Sequence, residues 1–328
     1  MQNLTAEQLE ITNRTEDIFY PYAARARKRM IAANGRFAHY TTADNALKII
    51  TTRRIWMRNT TCMSDFREVH HGLDSLKKYF ANEPSKATFY GAINLCSASA
   101  AEEAIALFDQ WWQSTQLQTY ITCISEHDPS EDQHGRLSMW RAFGGPTVPR
   151  VALIIKLPLE FSAANMALNA TLSPVAYLTD NEVADELNSI AQNVRANKEF
   201  VSKQGREYLI GNVFSVLLMA TLCLKHEGFR EEREWRIIYS PKRTPSSIIE
   251  TSTEVCAGIP QLVHKIPLEN NSSAGISGIS LTDLCDRIII GPTQFPWVLY
   301  EAFVAALDAA GVKDAGSKVF VSQIPVRT

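Results

Sequence analysis

Three short runs hold residue types from which a reactive site can be built. His39-Tyr40-Thr41 places an imidazole, a phenol and a hydroxyl at the end of a predicted strand, just before a predicted helix. Such strand-to-helix turns are where α/β proteins commonly take their ligands, although a histidine that merely ties down the turn is the plainer reading of His39. The second run, Glu231-Glu232-Arg233-Glu234-Trp235-Arg236, flows into the apolar WRIIY. Strand alternation sets Glu232, Glu234 and Arg236 on one face and Arg233 and Trp235 on the other, so two carboxylates can reach one small site. A solvated, self-compensating charge run is the usual fate of such a sequence. This one leads into an apolar strand, so part of it is expected to be half-buried, and a half-buried carboxylate is a candidate for function. In the third run, Ser138-Met139-Trp140-Arg141, Trp140 can stack on a flat ring or fill the core, and Arg141 can hold a phosphate.

Other polar clusters carry less. Met63-Ser64-Asp65-Phe66-Arg67-Glu68, with His70-His71 behind it, reads as a loop lining a site. His127, Asp128, Glu131, Asp132 and His134 crowd one predicted loop. They lack the spacing of a known metal motif such as H-E-x-x-H, and a solvated loop is preferred. Neither G-x-x-x-x-G-K nor G-x-G-x-x-G occurs, and no H-x-E with P-C-x-x-C points to a zinc deaminase. The expectation is a site without metal.

The elements that must position these residues follow from periodicity and turn chemistry. The first thirty residues read as a helix broken near Pro21, since proline lacks the amide hydrogen a helix interior needs. Its end, AARARKR, reads as a solvated basic terminus or as a phosphate contact. Arg36–Tyr40 reads as a strand, Asp44 as the N-cap of a helix carrying Leu47 and Ile50, and IWMR (55–58) as a second strand. Residues 80–117 show little pattern outside a helix over 101–118. Tyr120–Ser125 reads as a strand, Leu137–Phe143 as a short helix, and Val151–Leu157 as a strand buried on both faces. Helices follow over 181–203 and 207–225, parted by Gly205. Strands are expected at 235–239, 287–290 and 319–322, and a helix over 294–310 ending at Gly311. Residues 244–279, rich in Ser, Thr, Gly and Pro, read as an excursion from the sheet.

With 328 residues, 45% of them hydrophobic, the chain can build a sizeable core, and a net charge of −2 gives no global attraction to nucleic acid or membrane. The N-terminus shows no secretory pattern. The apolar stretch 209–224 is interrupted by Asn212 and Ser215 and is shorter than the ~20 residues of a membrane span. Six dispersed cysteines form no C-x-x-C pair and read as reduced core thiols. A cytoplasmic protein without a membrane partner is expected.

Taken together, FAHYTTADNALKIITTRRIWMRN, MSDFREVHHG, ITCISEHD, RLSMWRAFGG, VALII, KHEGFREEREWRII, DRIIIGPT and QIPVRT resemble a bacterial family catalogued as a domain of unknown function, number two-nine-seven-one. The resemblance spans nearly the whole chain, and EREWR is its specific part. The HYT-plus-helix opening, with Asn45 and Ile49, also resembles toxin–antitoxin enzymes that ADP-ribosylate DNA or RNA, and Glu232-Arg233-Glu234 resembles the E-x-E of ADP-ribosyltransferases. This resemblance implies an α/β (mixed α+β) fold: a split mixed sheet of the ADP-ribosyltransferase kind with a large helical insertion. The order of the elements, with no clear linker between two folding units, itself fits a mixed sheet with helices inserted between its halves, and the chain reads as one elaborated domain over 1–328, with an N-terminal helical segment 1–34 and the insertion at about 180–227.

By the same resemblance His39 and Thr41 hold NAD+ as co-substrate, Glu234 is catalytic and Glu232 positions the acceptor. Tyr40 or Trp140 stacks on the nicotinamide, Arg67 neutralises the pyrophosphate or assists proton transfer, and Ser125 or Trp140 stands at the middle motif. The long helical segment has no counterpart in the small transferases. The expected function is an NAD-dependent ADP-ribosyltransferase, a toxin or antiphage effector acting on nucleic acid or protein and held by a neutralising partner. A nucleotide sensor without turnover, a metal-dependent nuclease and an interaction scaffold are the rival readings.

Overall fold

Among the described residues ten strands form one mixed sheet, in the order β10-β9-β4-β1-β3-β2-β8-β7, with β6 on the other edge of β3 and β5 beyond it. The strands are β1 Arg36–Thr42, β2 Arg54–Asn59, β3 Tyr120–His127, β4 Arg150–Ile155, β5 Thr171–Pro174, β6 Glu234–Tyr239, β7 Glu250–Cys256, β8 Ile259–Pro267, β9 Cys285–Ile290 and β10 Val319–Val321. The computed structural model describes residues 4–62, 67–142, 148–160, 166–256 and 258–324, and within helices it leaves aside the side chains of 67–69 and 113–116. The expected mixed α/β class is what is observed. Among the described residues every strand pair is antiparallel except β9–β10.

The apolar run of β4 is buried from Val151 to Ile154 because both faces are covered. Val151 and Leu153 join Ile49, Ile50, Phe303 and Leu307 beneath helices Ala43–Thr52 and Pro296–Ala309, while Ala152 and Ile154 join Tyr40, Met139 and Trp140 on the opposite face. A run without alternation is the signature of such a strand.

The helical layer is larger than the sequence implied. Helix Arg206–Cys223 lies at its centre, packed with helices Ala6–Phe19, Arg67–Ala81 and Ala100–Gln116. Its length and composition, with a mean hydropathy of 1.2, would let it cross a membrane; here Leu209, Val213, Leu217 and Leu222 are buried among the other helices. Pro21 does part the first thirty residues, standing at the first position of helix Pro21–Ala32, where its missing N–H costs nothing.

Three sequence readings need correction. Residues 67–94 fold as helices Arg67–Ala81 and Glu83–Asn94; the second carries Pro84, Gly91 and small residues that dilute its apolar period. Residues 250–267 are the β7–β8 hairpin, not an excursion. As an edge strand β7 is polar on both faces, so it gave no alternation to read. The helix after β1 is capped by Thr42, whose hydroxyl accepts from the Asn45 amide at 3.2 Å, while Asp44 lies in the first turn and pairs with Lys48.

Candidate functional site

β3 creates the site by having three neighbours. Along one edge it pairs with β6, from Tyr120↔Tyr239 to Ser125↔Glu234. Its other edge is shared: β1 takes Ser125, Glu126 and His127, while β2 takes Tyr120 and Ile121. Between these two registers the sheet forks around Thr122, Cys123 and Ile124. A cavity of about 560 Å³ opens there, lined by β1, the first turns of helix Ala43–Thr52, β2, the fork, the segment 225–234 and the hairpin tip at Val255 and Cys256. That volume falls within the range of small-molecule sites.

One wall is neutral. His39 stands half-buried where β1 leaves β3, and its Nδ1 lies 2.9 Å from the Cys123 carbonyl oxygen. A carbonyl can only accept, so Nδ1 carries the hydrogen and the neutral ring keeps an acceptor lone pair on Nε2. Burial lowers the imidazole pKa below the usual histidine range, against the opposing pull of that hydrogen bond, which keeps the ring neutral at pH 7. Tyr40 accepts at its hydroxyl from the Arg136 amide at 2.9 Å, and burial pushes its pKa up to about 12. Thr41 completes this wall, and past it helix Ala43–Thr52 adds Asn45 and the exposed, self-compensating Asp44–Lys48 ion pair at the mouth.

The opposite wall is charged. Glu234 begins β6 with only 6% of its surface exposed. Arg236, two residues on and 2% exposed, donates Nε to Oε1 at 2.8 Å and Nη2 to Oε2 at 3.2 Å. Lys225 Nζ lies 2.6 Å from Glu232 Oε2 and 3.4 Å from Glu234 Oε2, so one buried ammonium bridges both carboxylates. Burial alone would raise the Glu234 pKa. The Arg236 guanidinium, the Lys225 charge and a hydrogen bond from the Cys123 side chain outweigh it, bringing the pKa down to about 2. Two carboxylates thus face two cations in a low-dielectric pocket. Cys123 joins the walls, with its carbonyl oxygen on His39 and its side chain on Glu234.

The carboxylates converge by a different route from the one strand alternation predicted. Glu232 closes a 3-10 turn, Glu227–Glu232, and Arg233 takes a left-handed backbone with φ 44°. Such a conformation is uncommon for a residue with a Cβ and costs roughly 1 kcal/mol or more. It swings the chain from the turn into β6 and brings Glu232 round beside Glu234.

Residues 139–237 match the family described as "Protein of unknown function (DUF2971)". No curated protein and no solved structure matches the chain. The DUF2971 segment is shorter than the resemblance in the sequence implied. It takes in Lys225, Glu232, Glu234 and Arg236 and stops short of β1, so the charged wall lies inside it and His39 outside.

Of the residues singled out from sequence, His39, Tyr40, Thr41, Ser125, Glu232 and Glu234 line the one cavity. Ser125 is buried on β3 opposite Glu234. Trp140 does not reach the cavity: it is buried behind Tyr40, with ring centroids 4.9 Å apart, and donates Nε1 to the His134 carbonyl at 2.8 Å. The Arg67 side chain lies outside the described residues, as do Met63, Ser64, Asp65 and Phe66.

The basic stretch 23–29 reads as structural. Arg25 pairs with Glu186, Arg27 with Glu16, Lys28 with Asp17 and Arg29 with Glu126. The acidic loop near residue 130 is likewise committed, with Asp132 held by Arg36, Arg287 and His127, and Glu131 by Arg136.

The sequence reading missed Lys225, Cys123 and Trp56, which also line the cavity. Lysine at the end of a long apolar segment is a signal for the first, because a cation abutting an apolar run needs a carboxylate to be buried. Nothing local marks the other two.

Proposed function

We propose that the forked cavity binds NAD+ and that the protein is an ADP-ribosyltransferase. The observation carrying this reading is that His39 and Glu234, nearly two hundred residues apart, stand on facing walls of one cavity of dinucleotide scale. A neutral imidazole with an acceptor on Nε2 suits a ribose hydroxyl, and the cations lining the cavity suit a pyrophosphate.

Cleavage of the nicotinamide–ribose bond sends the bonding pair out with nicotinamide and leaves cationic character on the sugar, as in glycoside hydrolysis. A lone pair of the acceptor then forms the new bond at the anomeric carbon. Fixed carboxylates stabilise the developing cation without reorganising. Glu234, ionised and immobile, supplies that charge. Glu232, whose side chain is 21% exposed, is the carboxylate able to reach an incoming acceptor and take its proton. The acceptor is nucleic acid or protein, and the setting is a cytoplasmic toxin or antiphage effector with a neutralising partner. Incubation with labelled NAD+ and RNA, DNA or lysate protein tests the reading; a folded protein that neither transfers label nor consumes NAD+ overturns it.

One observation favours a second reading, a nucleotide sensor without turnover. Glu234 is engaged at both oxygens by Arg236, which reduces the negative potential it offers a sugar cation. Tight NAD+ binding with no nicotinamide release distinguishes this case.

A further inference from the structure

Arg136 does not line the cavity, yet it touches what holds both walls. A guanidinium has five N–H donors in a rigid plane, and here every one is used. Nε donates to Glu131 Oε1 at 2.8 Å and Nη2 to Glu131 Oε2 at 3.0 Å, a bidentate pair. The second Nη2 hydrogen goes to the Glu126 carbonyl at 2.7 Å, at the end of β3. Nη1 donates to the Glu231 carbonyl at 2.8 Å and the Glu232 carbonyl at 3.2 Å. Its own backbone amide donates to the Tyr40 hydroxyl, next to His39.

The turn that carries Glu232 needs such a clasp. The last carbonyls of a helical turn have no partner within it, and the left-handed Arg233 prevents the chain from continuing the pattern. Arg136 takes the carbonyls of Glu231 and Glu232, and the Glu126 amide takes that of Arg233 at 2.9 Å. The exit of the turn is thereby pinned to the end of β3 at the point where β1 also pairs.

We propose that Arg136 is a positioning residue: its guanidinium fixes the Glu232-bearing turn against β3, while its backbone amide, through Tyr40, ties the same residue to the His39 wall. Its consequence for turnover rests on the transferase reading, whereas its hold on the turn does not. Lysine cannot replace it, having one nitrogen and no plane.

The test uses the full chain carrying Arg136→Lys, with Glu131→Gln as a milder second variant that removes the charge of the bidentate partner. Hydrogen exchange is read at the amides of residues 227–233, with helix Arg206–Cys223 and β9 as internal reference; NAD+ turnover is read beside it. In Arg136→Lys the turn is expected to exchange at least tenfold faster while the reference segments hold, since local opening is separable from global unfolding. The kcat is expected to fall about a hundredfold, the scale of a 1 Å misplacement, with KM for NAD+ moving far less. In Arg136→Gly, added guanidinium is expected to restore part of the rate.

Unchanged exchange at 227–233 overturns the proposal whatever the activity does. Faster exchange with full turnover overturns the functional link. A wild-type protein that does not process NAD+ ends the transferase reading but leaves the exchange result to decide the clasp.

Discussion

The two walls of the forked cavity are built on opposite principles. The β1 wall is neutral and held lightly: His39 rests on one carbonyl and Tyr40 on one amide. The β6 wall is charged and cross-linked, with Glu232, Glu234, Lys225 and Arg236 closing a network buried nearly throughout. A charged group removed from water must be fixed by its partners or it relaxes or neutralises, so the wall that supplies charge cannot also be the one that adapts. Adaptation to a ligand falls to the neutral side.

Glu234→Gln should produce the largest effect. It leaves the Arg236 and Lys225 charges undercompensated in the interior, and breaking one partner of a buried pair costs about 3–5 kcal/mol. The shift in urea midpoint measures this.

The pH dependence carries the same signature. The folded Glu234 pKa of about 2 lies below its ordinary 4.5, so its contribution is fully present above about 4.5 and is lost as pH falls towards 2. Stability measured from pH 5 to pH 3 should decline less steeply in the glutamine variant than in the wild type. Equal slopes would remove Glu234 from the acid limb.

Glu232→Gln separates chemistry from stability. Lys225 keeps Glu234 as a partner, so the cost to folding should be about 1 kcal/mol, while under the proposed transferase activity loss of this carboxylate should lower turnover about a hundredfold or more. A single-turnover assay alongside thermal denaturation reads both.

His39→Asn tests the neutral wall. Asparagine keeps a donor for the Cys123 carbonyl and loses the Nε2 acceptor, so stability should move by less than about 1 kcal/mol while NAD+ affinity, followed by calorimetry, drops. In the wild type that affinity should stay flat as pH falls through 6.5 and weaken only below it, because the imidazole pKa is lowered. Arg233→Gly should have the smallest effect. Relief of left-handed strain is offset by a looser unfolded chain, leaving a net change within about 1 kcal/mol.

The contrast between walls also explains what the sequence disclosed. HYT was legible because a strand end and a helical period lie within a dozen residues, although the cap is Thr42 and not Asp44. EREWR was legible because charge meets an apolar strand. That β1 and β2 share one edge of β3 was hidden, since pairing of Ala38 with Ser125 and of Asn59 with Tyr120 is set by long-range register. Trp140 could equally stack or pack, and burial decided for packing. Strand alternation places Arg236 on the carboxylate face of a half-buried strand but gives it no role, and it is among the most deeply buried side chains, because its donors are taken up by Glu234 and the Leu222 carbonyl. Helix Glu83–Asn94 and strand β7 stayed illegible because neither carries a clean apolar period.

The charged wall hangs directly from the C-terminal end of helix Arg206–Cys223, where the Cys223 carbonyl and the Lys225 amide both bond to the backbone of Ala176. For anyone wishing to retarget this scaffold, the usable territory is therefore lopsided. Exchanges at Thr41, Asn45 or Trp56 can reshape the pocket at its rim, whereas edits at Lys225, Glu234 or Arg236 would be felt at once by the apolar centre of the molecule.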